Sequence, residues 1–241
     1  MKLAVVSDIH GNLPALEAVV WSAEAAGCTH FVNLGDSLSG PLWPAETADY
    51  LMARNWTTIR GNHERQLLTL PKERMNLSDR HTIGVLSDSH LEWLGQQPET
   101  LELENGIFLC HGSPRRDVEY FLEHVDQEGV RQATEAEVVE RSGGRTERLI
   151  LCGHTHLPRL VRLPDGRTIA NPGSAGLPAY ADDLPVPHVM ESGSPSVRYA
   201  HVDQGEIEFV EVAYDHESAA RRAEQNGRLD WAVALRTGRM A

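Results

Sequence analysis

Short apolar runs and amphipathic segments alternate along the first sixty residues. Leu3–Val6 is apolar and rich in β-branched residues, which predicts a buried strand. Between Asn12, a candidate helix cap, and Gly27, a candidate terminator, apolar residues recur with a helical period and predict an amphipathic helix. A strand at 31–34, a helix at 45–53 and a strand at 57–59 are predicted next. This order predicts parallel strands joined by helical crossovers.

The middle of the chain is less regular. Residues 64–97 are mostly polar, with leucines at roughly helical spacing and Pro71 as a breaker, so two helical pieces are expected there. Strands are predicted at 107–110 and 149–152, and a helix is predicted at 131–140.

The pattern changes at residue 168, where short strands separated by turns begin. The strands predicted at 168–170, 196–202 and Glu206–Val212 suggest a second sheet in a sandwich. Residues 182–195 are rich in Pro, Ser and Asp and are expected to form a mobile loop.

Two short helices are predicted near the end of the chain, at 217–226 and 228–237, with Gly227 between them. No linker marks a domain boundary. We therefore expect one domain over residues 1–241, with a C-terminal helical tail that begins near residue 214.

Charge and composition restrict the classes of partner. The chain has 241 residues, and 22 Lys plus Arg against 35 Asp plus Glu give a formal charge of −13. An acidic surface repels nucleic-acid backbones and acidic lipids, so neither a nucleic-acid duplex nor a membrane is expected as a partner. A small anionic substrate is compatible with this charge, because bound metal ions reverse the local sign. The oligomeric state is left open.

The cysteines and the N-terminus bear on the compartment. The three cysteines, Cys28, Cys110 and Cys152, form no CxxC pair, which argues against a disulfide framework and fits a reducing compartment. Asp8 interrupts the first apolar run too early for a signal peptide, and no run reaches membrane-spanning length. We expect a cytoplasmic protein.

Five short polar motifs follow apolar runs: SDIHGN from Ser7, GDSLSGP from Gly35, IRGNHE from Ile59, LCHGSP from Leu109 and LCGHTHLP from Leu151. In parallel α/β sheets, ligands bind beyond the carboxyl ends of the strands, and each motif is predicted to lie at such an end. Asp8 and His10 are two residues apart, as are His154 and His156, so on extended backbone both members of each pair would point the same way.

The motifs together supply side chains suited to a metal site. Seven candidate ligands fit two ions if one carboxylate is shared: Asp8, His10, Asp36, Asn62, His111, His154 and His156. Imidazole, carboxylate and amide oxygen without thiolate favour hard-to-borderline divalent ions, with Mn²⁺ first and Fe, Zn or Ni as alternatives. Any single Asp at a strand end is more often a turn residue or a cap, but seven such positions favour the metal site.

The order D-x-H, G-D, G-N-H-[DE], H-G and G-H-x-H resembles the calcineurin-like metallophosphoesterases. NPGS at 171–174 and HGSPR at 111–115 resemble the small bacterial and archaeal phosphodiesterase-like branch of that superfamily. The resemblance implies an α/β fold, a four-layer α/β/β/α sandwich, with a binuclear metal centre at one edge of the sheets.

The resemblance also implies a role for each site residue. Asp8, His10 and His156 would hold one ion, Asn62, His111 and His154 the other, and Asp36 would bridge them. His63 would lie near the phosphate as the proton donor to the leaving oxygen. Many relatives carry an Asp after that His, whereas this chain carries Glu64, so the residue that orients His63 stays open. Arg60 is a candidate substrate contact, and Arg115 is a weaker one.

The implied reaction is hydrolysis of a phosphate ester, with a diester as the first choice, by a hydroxide that bridges the two metals. A phosphomonoesterase or protein phosphatase with the same centre is the main alternative. A non-catalytic scaffold is disfavoured by the intact ligand set, and a DNA nuclease by the negative charge. Specificity is expected to reside in residues 37–45, 64–105, 113–147 and 175–195, where no motif can be interpreted.

Overall fold

The computed structural model describes residues 2–241, which form two five-stranded sheets, two two-stranded hairpins and eight α-helices. The strands are β1 (Leu3–Val6), β2 (His30–Asn33), β3 (Thr57–Thr58), β4 (Leu101–Leu103), β5 (Ile107–Leu109), β6 (Glu123–Asp126), β7 (Gly129–Gln132), β8 (Leu149–Leu151), β9 (Pro158–Arg162), β10 (Thr168–Pro172), β11 (Ala179–Asp182), β12 (His188–Glu191), β13 (Val197–Asp203) and β14 (Glu206–Val212). The helices are α1 (Leu13–Ala25), α2 (Pro44–Met52), α3 (Asn62–Thr69), α4 (Leu77–Ile83), α5 (Asp88–Gln96), α6 (Glu135–Arg141), α7 (His216–Gln225) and α8 (Leu229–Thr237).

The first sheet has the order β14-β13-β1-β2-β3. Strands β1, β2 and β3 are parallel, as the strand–helix alternation predicts. The placement of strands 196–202 and Glu206–Val212 in a second sheet is wrong, because β13 pairs antiparallel with β1 and extends the first sheet. The turn at Gln204 and Gly205, both with positive φ, folds β14 back on β13. A sequence pattern can identify such a hairpin, but it does not show which strand of a distant sheet the hairpin pairs with.

The second sheet has the order β4-β5-β8-β10-β9, and β5, β8 and β10 are parallel to one another. Side chains that alternate along each strand divide the protein into layers. Leu3 and Val5 of β1 pack between the sheets against Leu149 and Leu151 of β8. Ala4 and Val6 face the opposite way, toward the apolar side of α1. On the outer face of the second sheet, Ile150 packs in a cluster with residues of α6 and of the segment before β6. These layers confirm the predicted α/β/β/α sandwich.

Three of the predicted elements differ from the observed ones. Residues 64–97 contain more than two helical pieces, because Asn76 and Ser87 cap two separate helices, α4 and α5, after α3. The helix predicted at 131–140 begins only at Glu135, since Thr134 caps it, and the residues before it belong to β7. The loop predicted at 182–195 contains β12, which pairs with β11.

The two predicted C-terminal helices are present, separated at Gly227. Both contribute to an apolar cluster in which Trp231 and Ala220 pack with Leu42 and Leu177. The division of the chain into one domain with a helical tail stays a prediction. Across residues 2–241, no helix combines the length and the apolar character needed to cross a bilayer.

Candidate metal centre

All seven predicted ligands lie just beyond the carboxyl ends of strands, and they come from both sheets. Asp8 and His10 follow β1, Asp36 follows β2 and Asn62 follows β3 in the first sheet. In the second sheet, His111 follows β5, and His154 and His156 follow β8. Parallel strands place these ends on one side of the sandwich, so residues that are far apart in sequence meet there.

The backbone at these positions is not extended. Five of the seven residues have left-handed backbone: Asp8 (φ 56°), His10 (φ 53°), Asp36 (φ 52°), His154 (φ 70°) and His156 (φ 60°). The argument from extended backbone is therefore wrong, although both pairs do reach the site. Asp and His tolerate this region better than most residues, and the cost is sustained where surrounding structure fixes the backbone. A side chain at Gly61 would collide with Asp36, which explains the glycine there.

Asp8, His10 and His156 form a first ligand cluster, in which one potential ligand atom from each residue lies within 4.8 Å of the others. His10 Nδ1 lies 2.7 Å from the Ser39 carbonyl oxygen, and His156 Nδ1 lies 2.7 Å from that of Leu177. A carbonyl only accepts, so both Nδ1 atoms carry the hydrogen and both Nε2 atoms are available as ligands.

The two Nε2 atoms of the first cluster are 3.1 Å apart. Burial, followed by the charge of His156, lowers the pKa of His10 to about 3. When both rings are neutral, each Nε2 presents a lone pair toward the same point, and a divalent ion there would accept both.

Asp36, His111 and His154 form a second ligand cluster, also with ligand atoms within 4.8 Å of one another. Asn62 joins it, because its Oδ1 lies 3.1 Å from His111 Nε2. His111 Nδ1 donates to the Leu34 carbonyl at 2.8 Å, and its Nε2 lies 3.0 Å from Asp36 Oδ2. Burial lowers the pKa of His154 to about 4, and the charge of His111 adds to this shift.

Each ligand cluster contains one buried carboxylate. Asp8 and Asp36 are 0% and 2% exposed, and within residues 2–241 their ion-pair partners are histidines only. Burial alone would raise the pKa of Asp36, but the charges of His111 and His63 hold it well below its usual value. Buried negative charge without Lys or Arg, surrounded by imidazole nitrogens, is the environment that divalent ions compensate. The residues present therefore fit a pair of metal ions.

Residues 1–191 match the family model described as the calcineurin-like phosphoesterase superfamily domain. The chain belongs to this superfamily. An uncharacterised protein of Methanocaldococcus jannaschii is 26% identical over an alignment of 259 residues, which covers 95% of this chain and 94% of that protein.

Solved structures share the fold of this phosphoesterase over nearly its whole length. A metallophosphoesterase from Sphaerobacter thermophilus has 22% identity and a TM-score of 0.74, with 98% of this chain and 99% of that chain covered. A hypothetical protein from Pyrococcus horikoshii has 19% identity and a TM-score of 0.76, with 100% and 99% covered. At these identities the likeness establishes the fold and not the substrate.

His63 lies beside both ligand clusters. Its backbone N–H donates to Asp36 Oδ1 at 2.9 Å, and its ring lies edge-on to that of His10, with centroids 5.5 Å apart. Its Nδ1 is 2.8 Å from Asp79 Oδ1, and 19% of its side chain is exposed. Burial alone would lower the pKa of His63, but the charge of Asp36 and the hydrogen bond with Asp79 raise it to about 9.

Glu64 does not orient His63. Its carboxylate accepts the backbone N–H groups of Asp36, Ser37 and Gly61 at 2.7, 2.8 and 2.8 Å. Glu64 thereby closes the first turn of α3 and ties it to the loop that carries Asp36. The partner of the His63 ring is Asp79 on α4, which sequence reasoning missed. The one indication of Asp79 is that polar residues on one side of α4 are buried, and this is seen only once the helix is placed in the structure.

The two candidate arginines are engaged elsewhere. Arg60 Nη2 donates to Glu99 Oε1 at 3.3 Å, and Arg115 Nη2 donates to Glu119 Oε1 at 2.6 Å. In the described part of the chain, neither guanidinium is hydrogen-bonded to a residue of the ligand clusters. A role for Arg60 or Arg115 in binding substrate stays a prediction.

Proposed function

We propose that this phosphoesterase hydrolyses phosphodiesters with the help of two divalent ions. One ion would be held by Asp8, His10 and His156, and the other by Asn62, His111 and His154, with Asp36 shared. The observation that carries the proposal is the geometry of two buried ligand clusters side by side, each with its own imidazole pair and carboxylate. Membership of the superfamily supports the reaction class.

When bound, the ions would neutralise charge on the phosphoryl oxygens and lower the pKa of a water molecule. The chain supplies the rest of the reaction. Water forms the new P–O bond and releases its proton to solvent, while the bond to the leaving group breaks. His63 gives a proton to the leaving oxygen, which keeps the electron pair of the broken bond, and His63 regains its proton from solvent.

The preference for a diester rests on charge. A monoester dianion carries one more negative charge than a diester monoanion and needs more cationic compensation. Arg60 in the third polar motif and Arg115 just after the fourth are each paired with a glutamate, and the whole chain has a charge of −13. With both arginines paired, a diester monoanion matches the charge of the site better than a monoester dianion does. The main contribution of the protein side chains would then be a proton for the leaving group.

Metal content and two chromogenic substrates test this proposal. The purified protein, reconstituted separately with Mn²⁺, Fe²⁺, Zn²⁺ or Ni²⁺, is analysed for bound metal and assayed on bis-p-nitrophenyl phosphate and p-nitrophenyl phosphate. We expect two equivalents of metal per chain, the highest activity with Mn²⁺, and a higher kcat/KM for the diester. A clear preference for the monoester would move the protein to the phosphatases, and a lack of activity on either substrate would favour the scaffold.

We also propose that the protein works in the reducing environment of the cytoplasm. Cys28, Cys110 and Cys152 are free and buried, and burial raises the pKa of all three thiols. Unchanged activity and thiol count after dialysis with and without a reductant would be consistent with this, and a disulfide found by mass spectrometry would argue against it.

A further inference from the structure

Asp79 occupies an unusual position for a residue outside the ligand set. It lies on α4 in a segment where the sequence shows no motif, and it is 0% exposed. Its Oδ1 is 2.8 Å from His63 Nδ1, and its Oδ2 is buried with no hydrogen-bond partner in residues 2–241. The ion pair with His63 is its only one in the same range. A carboxylate buried without Lys or Arg is costly, so this position calls for an explanation.

The same oxygen of Asp79 also binds the loop that supports the first ligand cluster. Ser39 Oγ donates to Asp79 Oδ1 at 2.5 Å, and the carbonyl of Ser39 accepts from His10 Nδ1. One carboxylate oxygen therefore joins the ring of His63 to the residue that fixes the ring of His10. The positions of the two rings are set together.

Helix α4 is anchored so that Asp79 is held in place. Thr82, one turn further along, accepts the backbone N–H of Gly40 at 3.0 Å. On the neighbouring turn, Ser78 accepts from Arg228 at the start of α8, at 2.8 Å. Buried polar residues on α4 thus tie the helix to the loop of Ser39 and Gly40 on one side and to the C-terminal helices on the other.

We propose that Asp79 is the residue that positions His63 for proton transfer to the leaving group, an inference that rests on the proposed function. A carboxylate only accepts, so His63 Nδ1 carries a hydrogen and donates it to Asp79. The other nitrogen, Nε2, is then the one that gives a proton to the leaving oxygen. Asp79 fixes both the orientation of the ring and the nitrogen that acts, and Glu64 is engaged with backbone groups instead.

The leaving group provides the test. Phenolate is a stronger base than p-nitrophenolate, so its departure depends more on receiving a proton. Wild type, Asp79→Asn and His63→Gln are compared on methyl p-nitrophenyl phosphate and methyl phenyl phosphate. His63→Gln should lower kcat/KM on the phenyl ester by about 10²–10⁴-fold. Asp79→Asn should lower it by about 10–100-fold. Both variants should keep their metal and lose much less on the p-nitrophenyl ester.

Arg80→Ala is the matched control, because Arg80 is exposed on the same helix next to Asp79 and, within residues 2–241, its guanidinium donates only to the Glu73 carbonyl. It should leave the ratio of the two substrates unchanged. A second readout is the ¹⁵N spectrum of labelled histidine, in which the Nδ1–H signal of His63 should change in Asp79→Asn and persist in Arg80→Ala. Equal losses on both substrates in Asp79→Asn, or no loss on either, would overturn the inference.

If Asp79→Asn does not fold, Ser39→Ala keeps the test decisive. This variant removes the Ser39 hydroxyl, which is the other hydrogen-bond partner of Asp79 Oδ1. It should shift the substrate ratio in the same direction by a smaller factor, and an unchanged ratio would overturn the inference. Failure of the proposed function looks different, since wild type itself would then be inactive on both diesters.

Discussion

The two ligand clusters contain the same kinds of side chain but are held in different ways. In the first cluster, both imidazoles are fixed by hydrogen bonds to backbone carbonyls, those of Ser39 and Leu177. In the second cluster only His111 is fixed in this way, by Leu34. The ring nitrogens of His154 form no hydrogen bond with any residue in 2–241, and its ring is flanked by those of His111 and Tyr120, with centroids 5.3 and 5.0 Å away.

This difference concerns preorganisation. A hydrogen bond from Nδ1 sets the tautomer and the ring angle of a ligand before any metal arrives, so less freedom is lost on binding. Trp231 of α8 adds to the order of the first cluster, with its ring edge-on to His10 at 5.9 Å. The second cluster depends more on what packs around His154. The first position should therefore bind its ion more tightly than the second.

The largest expected effect comes from breaking both clusters at once. Asp36→Asn removes the carboxylate that we propose the two positions share, and with it a buried negative charge. We expect activity to fall by more than the roughly 10–100-fold typical of changes to the outer partners of metal ligands, and metal content to drop by at least one equivalent. Asp165→Asn, an exposed carboxylate paired with Arg167, is the matched control and should change neither. Full activity in Asp36→Asn would refute the shared-carboxylate arrangement.

A smaller effect separates the two clusters from each other. His10→Ala damages the first cluster and His154→Ala the second, so each variant should retain one binding event when the apoprotein is titrated calorimetrically with Mn²⁺. The Kd of the ion that remains in His154→Ala should be lower, by about 10-fold or more, than the Kd of the ion that remains in His10→Ala. Equal affinities, or the reverse order, would show that hydrogen bonds to the rings do not decide the difference.

The clustering of the seven candidate ligands could be predicted because each one lies shortly after a strand, within a short motif. Asp8, Asp36 and His111 need only the local pattern and the rule that the carboxyl ends of parallel strands form sites. Their backbone conformation could not be predicted in the same way. Left-handed φ at Asp8 and His10 depends on contacts with the neighbouring loop, such as the bond from His10 N to the Asp36 carbonyl.

The partners of the ligands were not predictable, because they are brought in by tertiary packing. Asp79 is 16 residues from His63 and 40 from Ser39, and no local signal joins them. The parallel core strands and most helices follow from periodicity, but β7 is exposed along its whole length and offers no alternation to detect. The placement of β13 beside β1 likewise depends on which sheet edge is free, which no single segment encodes.

The smallest expected effect tests whether packing alone orders the second cluster. Tyr120→Ala removes the ring beside His154, and the affinity of the second ion should fall by about 10-fold, at the lower end of the range for outer partners. Tyr120→Phe is the control: it keeps the ring and loses only the hydroxyl, which lies 2.8 Å from His188 Nε2. Since His188 Nδ1 donates to the Val186 carbonyl, Nε2 accepts from Tyr120, and loss of this bond should cost about 1 kcal/mol of folding free energy without affecting metal binding. Titration with Mn²⁺ and thermal unfolding measure the two quantities separately. If Tyr120→Phe weakens the second ion as much as Tyr120→Ala does, or if both ions weaken together, the contrast between a hydrogen-bonded cluster and a packed cluster does not hold.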